Sequence, residues 1–214
     1  MNARRLAPLL AAACLLFAAD NALAGAQKYE PLADSVKNAL HSAISDEAPA
    51  EDPTFTSMEE KIAWFTGMSQ RLVKKIPDGD TRLEFLKTVH YEARRAGLDP
   101  QLVLGLIEVE SNFRKHAVSG SGARGFMQVM PFWTALIGSR SDDLFHLRTN
   151  LRYGCTILRH YMDLEHDDLY RALGRYNGSL GQPEYPRAVE GAWRRNWNFA
   201  YTAPAKGRTV SGTL

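Results

Sequence analysis

Glu110 is the residue of this 214-residue chain best placed for acid–base chemistry. At about 100° per residue, Val103, Leu106, Ile107, Glu110 and Phe113 share one face of a helix, whereas Glu108 points to the opposite side. One of the two carboxylates is therefore aimed into the fold. Desolvation disfavours the charged form, so a carboxyl against aliphatic walls keeps its proton toward neutral pH and can act as a general acid. Such an acid beside a cleft is what breaking a glycosidic bond requires. The competing reading of a lone helical Glu is an ion-paired or solvated side chain.

The residues downstream of Glu110 favour chemistry. Residues 119–131 read SGSGARGFMQVMP, in which Gly120, Gly122 and Gly125 formally match a dinucleotide fingerprint. The context fails: that fingerprint comes after a buried strand, and here the preceding run is Asn112-Phe113-Arg114-Lys115-His116. The glycines suit instead a tight turn that lets backbone pass close to a ligand. Such a turn would bring Gln128 and Met130 near Glu110, offering an amide for sugar hydroxyl or acetamido groups and an apolar surface.

Four ordered motifs then point to a family. Glu110-Ser111, Ser119-x-x-Gly122-Ala123-x-Gly125-x-Met127-Gln128-x-Met130-Pro131, Asn150-x-x-x-Gly154-x-x-x-Leu158 and Tyr176-Asn177 resemble the soluble lytic transglycosylase (SLT) family over roughly residues 87–190. The resemblance implies an all-α, lysozyme-like catalytic domain that cleaves the MurNAc–GlcNAc bond of peptidoglycan in the periplasm. It makes Glu110 the catalytic acid/base and Ser119, Gln128, Met130, Tyr176 and Asn177 the substrate-binding residues. Ser119 and Gln128 match positions that contact the glycan or orient the acid. Met130 matches a cleft-lining position, and Tyr176 the tyrosine whose hydroxyl lies close to the glutamate, where a hydrogen bond would orient it. Asn177 reads equally well as a helix C-terminal residue before Gly178. The chain departs from the family pattern at Arg175, where alanine is frequent, and at Arg148, where proline is frequent.

A two-carboxylate hydrolase needs a second acid, about 5 Å away as nucleophile or farther off to hold a water. Between Ser111 and Ser141 the sequence has no Asp or Glu. One carboxyl suits lysis: Glu110 protonates the leaving oxygen, then deprotonates the muramyl 6-hydroxyl, and a 1,6-anhydro ring closes without water. Two competitors stand beside this. One is a lysozyme-like hydrolase using Asp142, Asp143 or Asp163, and the other a non-catalytic peptidoglycan-binding or assembly module.

Helical segments are expected over residues 31–45, 57–75, 80–96, 99–111, 131–137, 150–164, 167–176 and 186–197, without convincing strands. Ser57 and Glu60 form a capping-box pattern, with Ile62, Phe65, Met68, Leu72 and Ile76 on the packed side. Asp80 or Thr81 is expected to cap the next helix. Residues 45–57 read as an acidic, proline-containing linker and residues 203–214 as a disordered tail. The expected organisation is an export signal over residues 1–24, an N-terminal helical extension over 25–84, the SLT-like domain over 85–197 and a tail over 198–214.

The signal reading rests on Arg4 and Arg5, the apolar run from Leu6 to Ala19, and Ala22-Leu23-Ala24. It implies a periplasmic protein without stable membrane insertion. A lipoprotein anchor at Cys14 is disfavoured because Ala11 stands where a large aliphatic residue is usual. Cys155 is then the one remaining cysteine, on an apolar helical face, and no intrachain disulfide is expected. The six histidines show no metal-ligand spacing, and no cofactor is expected. From Ala26 to Glu60 two lysines face eight acids, whereas from Arg171 to Leu214 seven basic residues face Glu184 and Glu190. That basic end suits an acidic polymer. Glycan strands are the expected partner, with no nucleic acid; any cell-envelope assembly partner is left open.

Overall fold

The computed structural model describes residues 27–45 and 55–201. The expected signal, the centre of the acidic linker and nearly all of the tail lie outside them. Among the described residues there are eight α-helices and no strand, only isolated bridges in the loop after Glu110. The all-α expectation is borne out.

Helix α1 (Asp34–Ser45) is followed by α2 (Met58–Leu72) and α3 (Gly79–Arg95). Ser57 caps α2 by accepting from the Glu60 backbone N–H at 3.1 Å. The reciprocal half of the box falls one residue early: Glu60 takes the Thr56 N–H at 2.9 Å. Met68, Leu72 and Ile76 are buried and Phe65 packs against the core, as expected, whereas Ile62 is 59% exposed and Trp64 is buried in addition. Asp78, not Asp80 or Thr81, caps α3, accepting from the Thr81 N–H at 2.8 Å. An Asn or Asp side chain reaches the orphan donors of the first turn only from the residue just outside the helix.

Helix α4 (Pro100–Ser111) is the centre of the molecule. Asp99 caps it, Pro100 opens it, and Asn112 closes it in the left-handed region. Leu102, Val103, Leu104, Leu106 and Ile107 are all 5% exposed or less, so the helix is buried nearly all round and not on one stripe. Only Gln101, Glu108 and Val109 reach partial exposure. Each such aliphatic side chain contributes about 1.5–3 kcal/mol on burial, which makes α4 a rigid platform for a functional group.

The remaining helices are α5 (Phe132–Ile137), α6 (Leu147–Leu164), α7 (Leu169–Asn177) and α8 (Glu184–Ala192), which runs into a π-turn (Trp193–Trp197); α8 and the π-turn pack on α4, α6 packs on α3, and α7 lies between α6 and α8. Gly105 makes the closest approach possible: a Cβ there would lie 2.7 Å from the Trp193 backbone nitrogen. The helix penalty of a mid-helix glycine, about 1 kcal/mol, is accepted in return for α8 lying directly on α4. Cys155 is fully buried on α6, as expected of a small core residue, and burial pushes its thiol far above the ordinary range.

Residues of the expected extension pack into the body of the protein. Leu40, Trp64, Met68 and Leu72 belong to the same core as α4, and the 84/85 boundary falls inside α3. Glu92, fully buried on α3, holds Arg95 and Arg152 at 3.1 Å each and Arg148 at 3.7 Å. Arg95 and Arg152 in turn donate to the Ala43 and Ile44 carbonyls at the end of α1. A buried carboxylate is tolerated only when paired and hydrogen-bonded in this way, and here the arrangement fastens α1 to the body. Arg148, a departure from the family pattern, thus has a structural task, and it also lies over the Tyr91 ring at 5.6 Å.

Candidate active site

Glu110 sits in the last turn of α4 and is 3% exposed. Its Oε1 accepts the hydroxyl of Tyr185 at 2.5 Å. Tyr185 lies in the first turn of α8, with Val189 and Ala192 on the same buried face. The close contact at Gly105 sets α8 against α4 and delivers that phenol to the carboxyl. Burial, and then the Glu110 charge, push the Tyr185 phenol well above its ordinary range, so it stays a proton donor to the carboxyl at any working pH. Sequence reasoning missed Tyr185: at helical spacing with Val189 it reads as a core aromatic. The available signal was that a buried tyrosine hydroxyl needs a partner.

Glu108 faces the other way, as the wheel requires. It receives the Trp197 indole N–H at 2.6 Å and the Asn196 amide at 2.9 and 3.0 Å, and so pins the π-turn to α4.

Tyr176 is completely buried near the end of α7, and its hydroxyl donates to the Met127 carbonyl at 2.7 Å. The phenol donating to Glu110 Oε1 is therefore Tyr185, and the hydrogen bond expected from Tyr176 to Glu110 is replaced by one to the loop backbone. Burial and then the nearby Glu110 charge hold the Tyr176 phenol well above its usual range, so the two groups are within electrostatic reach.

The loop from Ala117 to Met130 is tied by paired backbone bonds between Arg124 and Val129, both 3.0 Å, and by Gly125 N–H to Ala117 O at 2.9 Å. Gly125 has φ +77°, and a Cβ there would meet Asn150 Nδ2 at 2.4 Å. Asn150, fully buried on α6, clamps the loop: it accepts from Met127 N–H and donates to the Arg124 and Leu144 carbonyls, each at 2.8 Å. Asn150→Ala strands two buried backbone groups, the Met127 N–H and the Leu144 carbonyl, while the Arg124 carbonyl keeps the Val129 N–H. We expect it to cost about 3–5 kcal/mol of stability, read from urea unfolding, since each orphaned group costs about 1–3 kcal/mol.

Gln128 also serves the loop. At φ +50° its side chain folds back, and its amide donates to Ala117 O at 3.1 Å and Gly125 O at 2.9 Å. Both amide hydrogens are thus spent, and the expected sugar-facing amide is a brace. Ser119 Oγ accepts the Ala123 N–H at 3.1 Å, closing the preceding turn. Asn177 ends α7 before Gly178 and donates to Ser179 Oγ at 3.1 Å. Met130 is half-buried, and its backbone N–H donates to Gln27 Oε1 at 3.1 Å.

The carboxylates suggested as second acids are engaged elsewhere. Asp142 accepts from Tyr153 at 2.5 Å and Ser139 N–H at 3.1 Å, Asp143 from Phe145 N–H at 2.8 Å, and Asp163 pairs with Arg159 at 2.6 Å. Among the described residues no cluster of His, Cys, Asp or Glu could hold a metal ion.

The transglycosylase SLT domain family matches residues 87–194, half of the chain. This chain belongs to that family. The SLT match contains Glu110, the clamped loop, Tyr176 and Tyr185, and it begins inside α3. A transglycosylase of Enterobacteria phage PRD1 is 30% identical over 122 residues, 56% of this chain and 45% of the phage protein. Membrane-bound lytic murein transglycosylase C of Actinobacillus pleuropneumoniae is 48% identical over 48 residues, 22% of this chain and 13% of that protein. An inactive mutant of the lytic transglycosylase Slt from Pseudomonas aeruginosa, a solved structure, is 21% identical over 62% of this chain and 24% of that one, with a TM-score of 0.40. This SLT chain spans less than half the length of each of these relatives.

Proposed function

We propose that the protein is a peptidoglycan lytic transglycosylase that uses Glu110 first as acid and then as base. The observation that carries the reading is the buried carboxyl of Glu110 on a helix packed nearly all round, oriented by the Tyr185 hydroxyl, inside the SLT match. Protonated Glu110 gives its proton to the glycosidic oxygen between MurNAc and GlcNAc, and the C1–O bond breaks. The muramyl acetamido oxygen stabilises the positive charge at C1. The ionised Glu110 then removes the proton of the C6 hydroxyl, whose oxygen bonds to C1, and the acid is regenerated with no water consumed.

Two further observations support one carboxyl over two: the stretch from Ser111 to Ser141 lacks acids, and Asp142, Asp143 and Asp163 are held by other partners. Export to the periplasm, where the substrate is, fits the signal-like residues 1–24. No helix among the described residues is long and apolar enough to cross a membrane. The test is mass spectrometry of muropeptides released from purified sacculi. We expect ends in 1,6-anhydro-muramic acid, and reducing ends one water heavier would assign a hydrolase instead.

A further inference from the structure

Residues 27–33, which precede α1, have no regular secondary structure and lie across the loop that carries Met130. Gln27 is 4% exposed. Its Oε1 accepts the Met130 backbone N–H at 3.1 Å, and its side chain also lies at the Tyr176 hydroxyl. Tyr176 in turn is within electrostatic reach of Glu110. A primary carboxamide therefore fills a polar niche next to the candidate acid. It presents one carbonyl acceptor and one N–H donor group, the same pair that an N-acetyl group on an amino sugar presents.

The two ends of this segment are held very differently. Downstream, Leu32 packs on the core, and α1 is fastened by Arg95, Arg152 and a 3.2 Å contact between His41 and the Ile137 carbonyl. Upstream, the hold is the Gln27–Met130 bond, the Tyr29 ring edge-on to Phe132 at 5.7 Å, and Glu30 paired with Arg175 at 3.4 Å. The Glu30 side chain is 49% exposed, and such pairs hold weakly. Arg175, where the family pattern has a small residue, is what reaches Glu30.

The geometry points to an autoinhibitory strap: residues 27–31 occupy an acetamido-binding niche of the cleft through Gln27 and are displaced when an N-acetylated glycan enters. Given the glycan-cleaving reading of the cleft, on which this rests, the strap competes directly with substrate. A ligand that must displace it loses affinity by the fraction of time the strap is closed.

Calorimetric titration of tetra-N-acetylchitotetraose into the Glu110→Gln chain, with and without Gln27→Ala, tests this. Loss of the strap's bond is expected to tighten glycan binding by about three- to tenfold, the worth of one net hydrogen bond. Glu30→Ala, which loosens the strap at an exposed pair and leaves the core intact, should tighten binding in the same direction by less, and decides the matter if Gln27→Ala does not fold. Unchanged or weaker binding would overturn the strap and make Gln27 part of the packing or of the glycan site itself. The titration reads binding alone, so a failure to find anhydro products from the wild-type chain would overturn the lytic reading without deciding the strap.

Discussion

Glu110→Gln is expected to abolish turnover of sacculi while the protein keeps its fold and still binds glycan. The substitution preserves size and polarity but removes the only transferable proton that the scheme uses at both steps. General acid–base catalysis contributes typically about 10²–10⁴-fold to rate, and loss of both halves from one residue should bring activity to the detection limit. Because glutamine can still accept the Tyr185 hydroxyl, the melting temperature should change little. Glu108→Gln is the matched control two residues away. Its remaining carbonyl oxygen can still receive the Trp197 indole, so most activity should persist with a modest loss of stability. Equal inactivation by both substitutions would remove Glu110 from its role.

Tyr185→Phe should produce the second-largest effect on rate. The phenol orients Glu110 and favours its ionised form by donating to it. Without that donor the carboxyl holds its proton to higher pH. The alkaline limb of the pH–rate profile marks loss of the acid's proton, so this limb should move to higher pH, while a carboxyl displaced by about 1 Å loses on the order of a hundredfold in rate. Tyr176→Phe should behave differently. It orphans the Met127 carbonyl, costing about 1–3 kcal/mol of stability, and should leave the alkaline limb in place. A limb that moves with Tyr176 and not with Tyr185 would reverse the two assignments.

The contrast between these tyrosines shows what the amino-acid order reveals and what it conceals. Glu110 was separable from Glu108 because helical period alone sets them on opposite sides, even though α4 proved to be buried nearly all round. The helix ends were legible wherever Ser, Asp, Pro or Gly stood at them, with the cap of α3 displaced to Asp78. Tyr185 was not legible, because its spacing is that of a packing residue and its partner is 75 positions away. The same holds for Gln27 and Met130, 103 positions apart, and for Asn150, whose motif spacing was plain but whose clamp on three backbone groups needs the loop's path. Gln128 was read as a sugar contact from its type; its left-handed backbone turns the amide back into the loop. Arg148 and Arg175 stood out as departures, and each found a carboxylate, Glu92 for one and Glu165 with Glu30 for the other.

In the proposed reaction one carboxyl cleaves the glycan without water. Digestion of purified sacculi in water enriched in oxygen-18, with mass spectrometry of the released muropeptides, tests it most directly. The expected products are 1,6-anhydro ends that carry no label. Reducing ends that carry the heavy oxygen would contradict that reaction and require a second, water-activating group that this reading of the cleft does not contain.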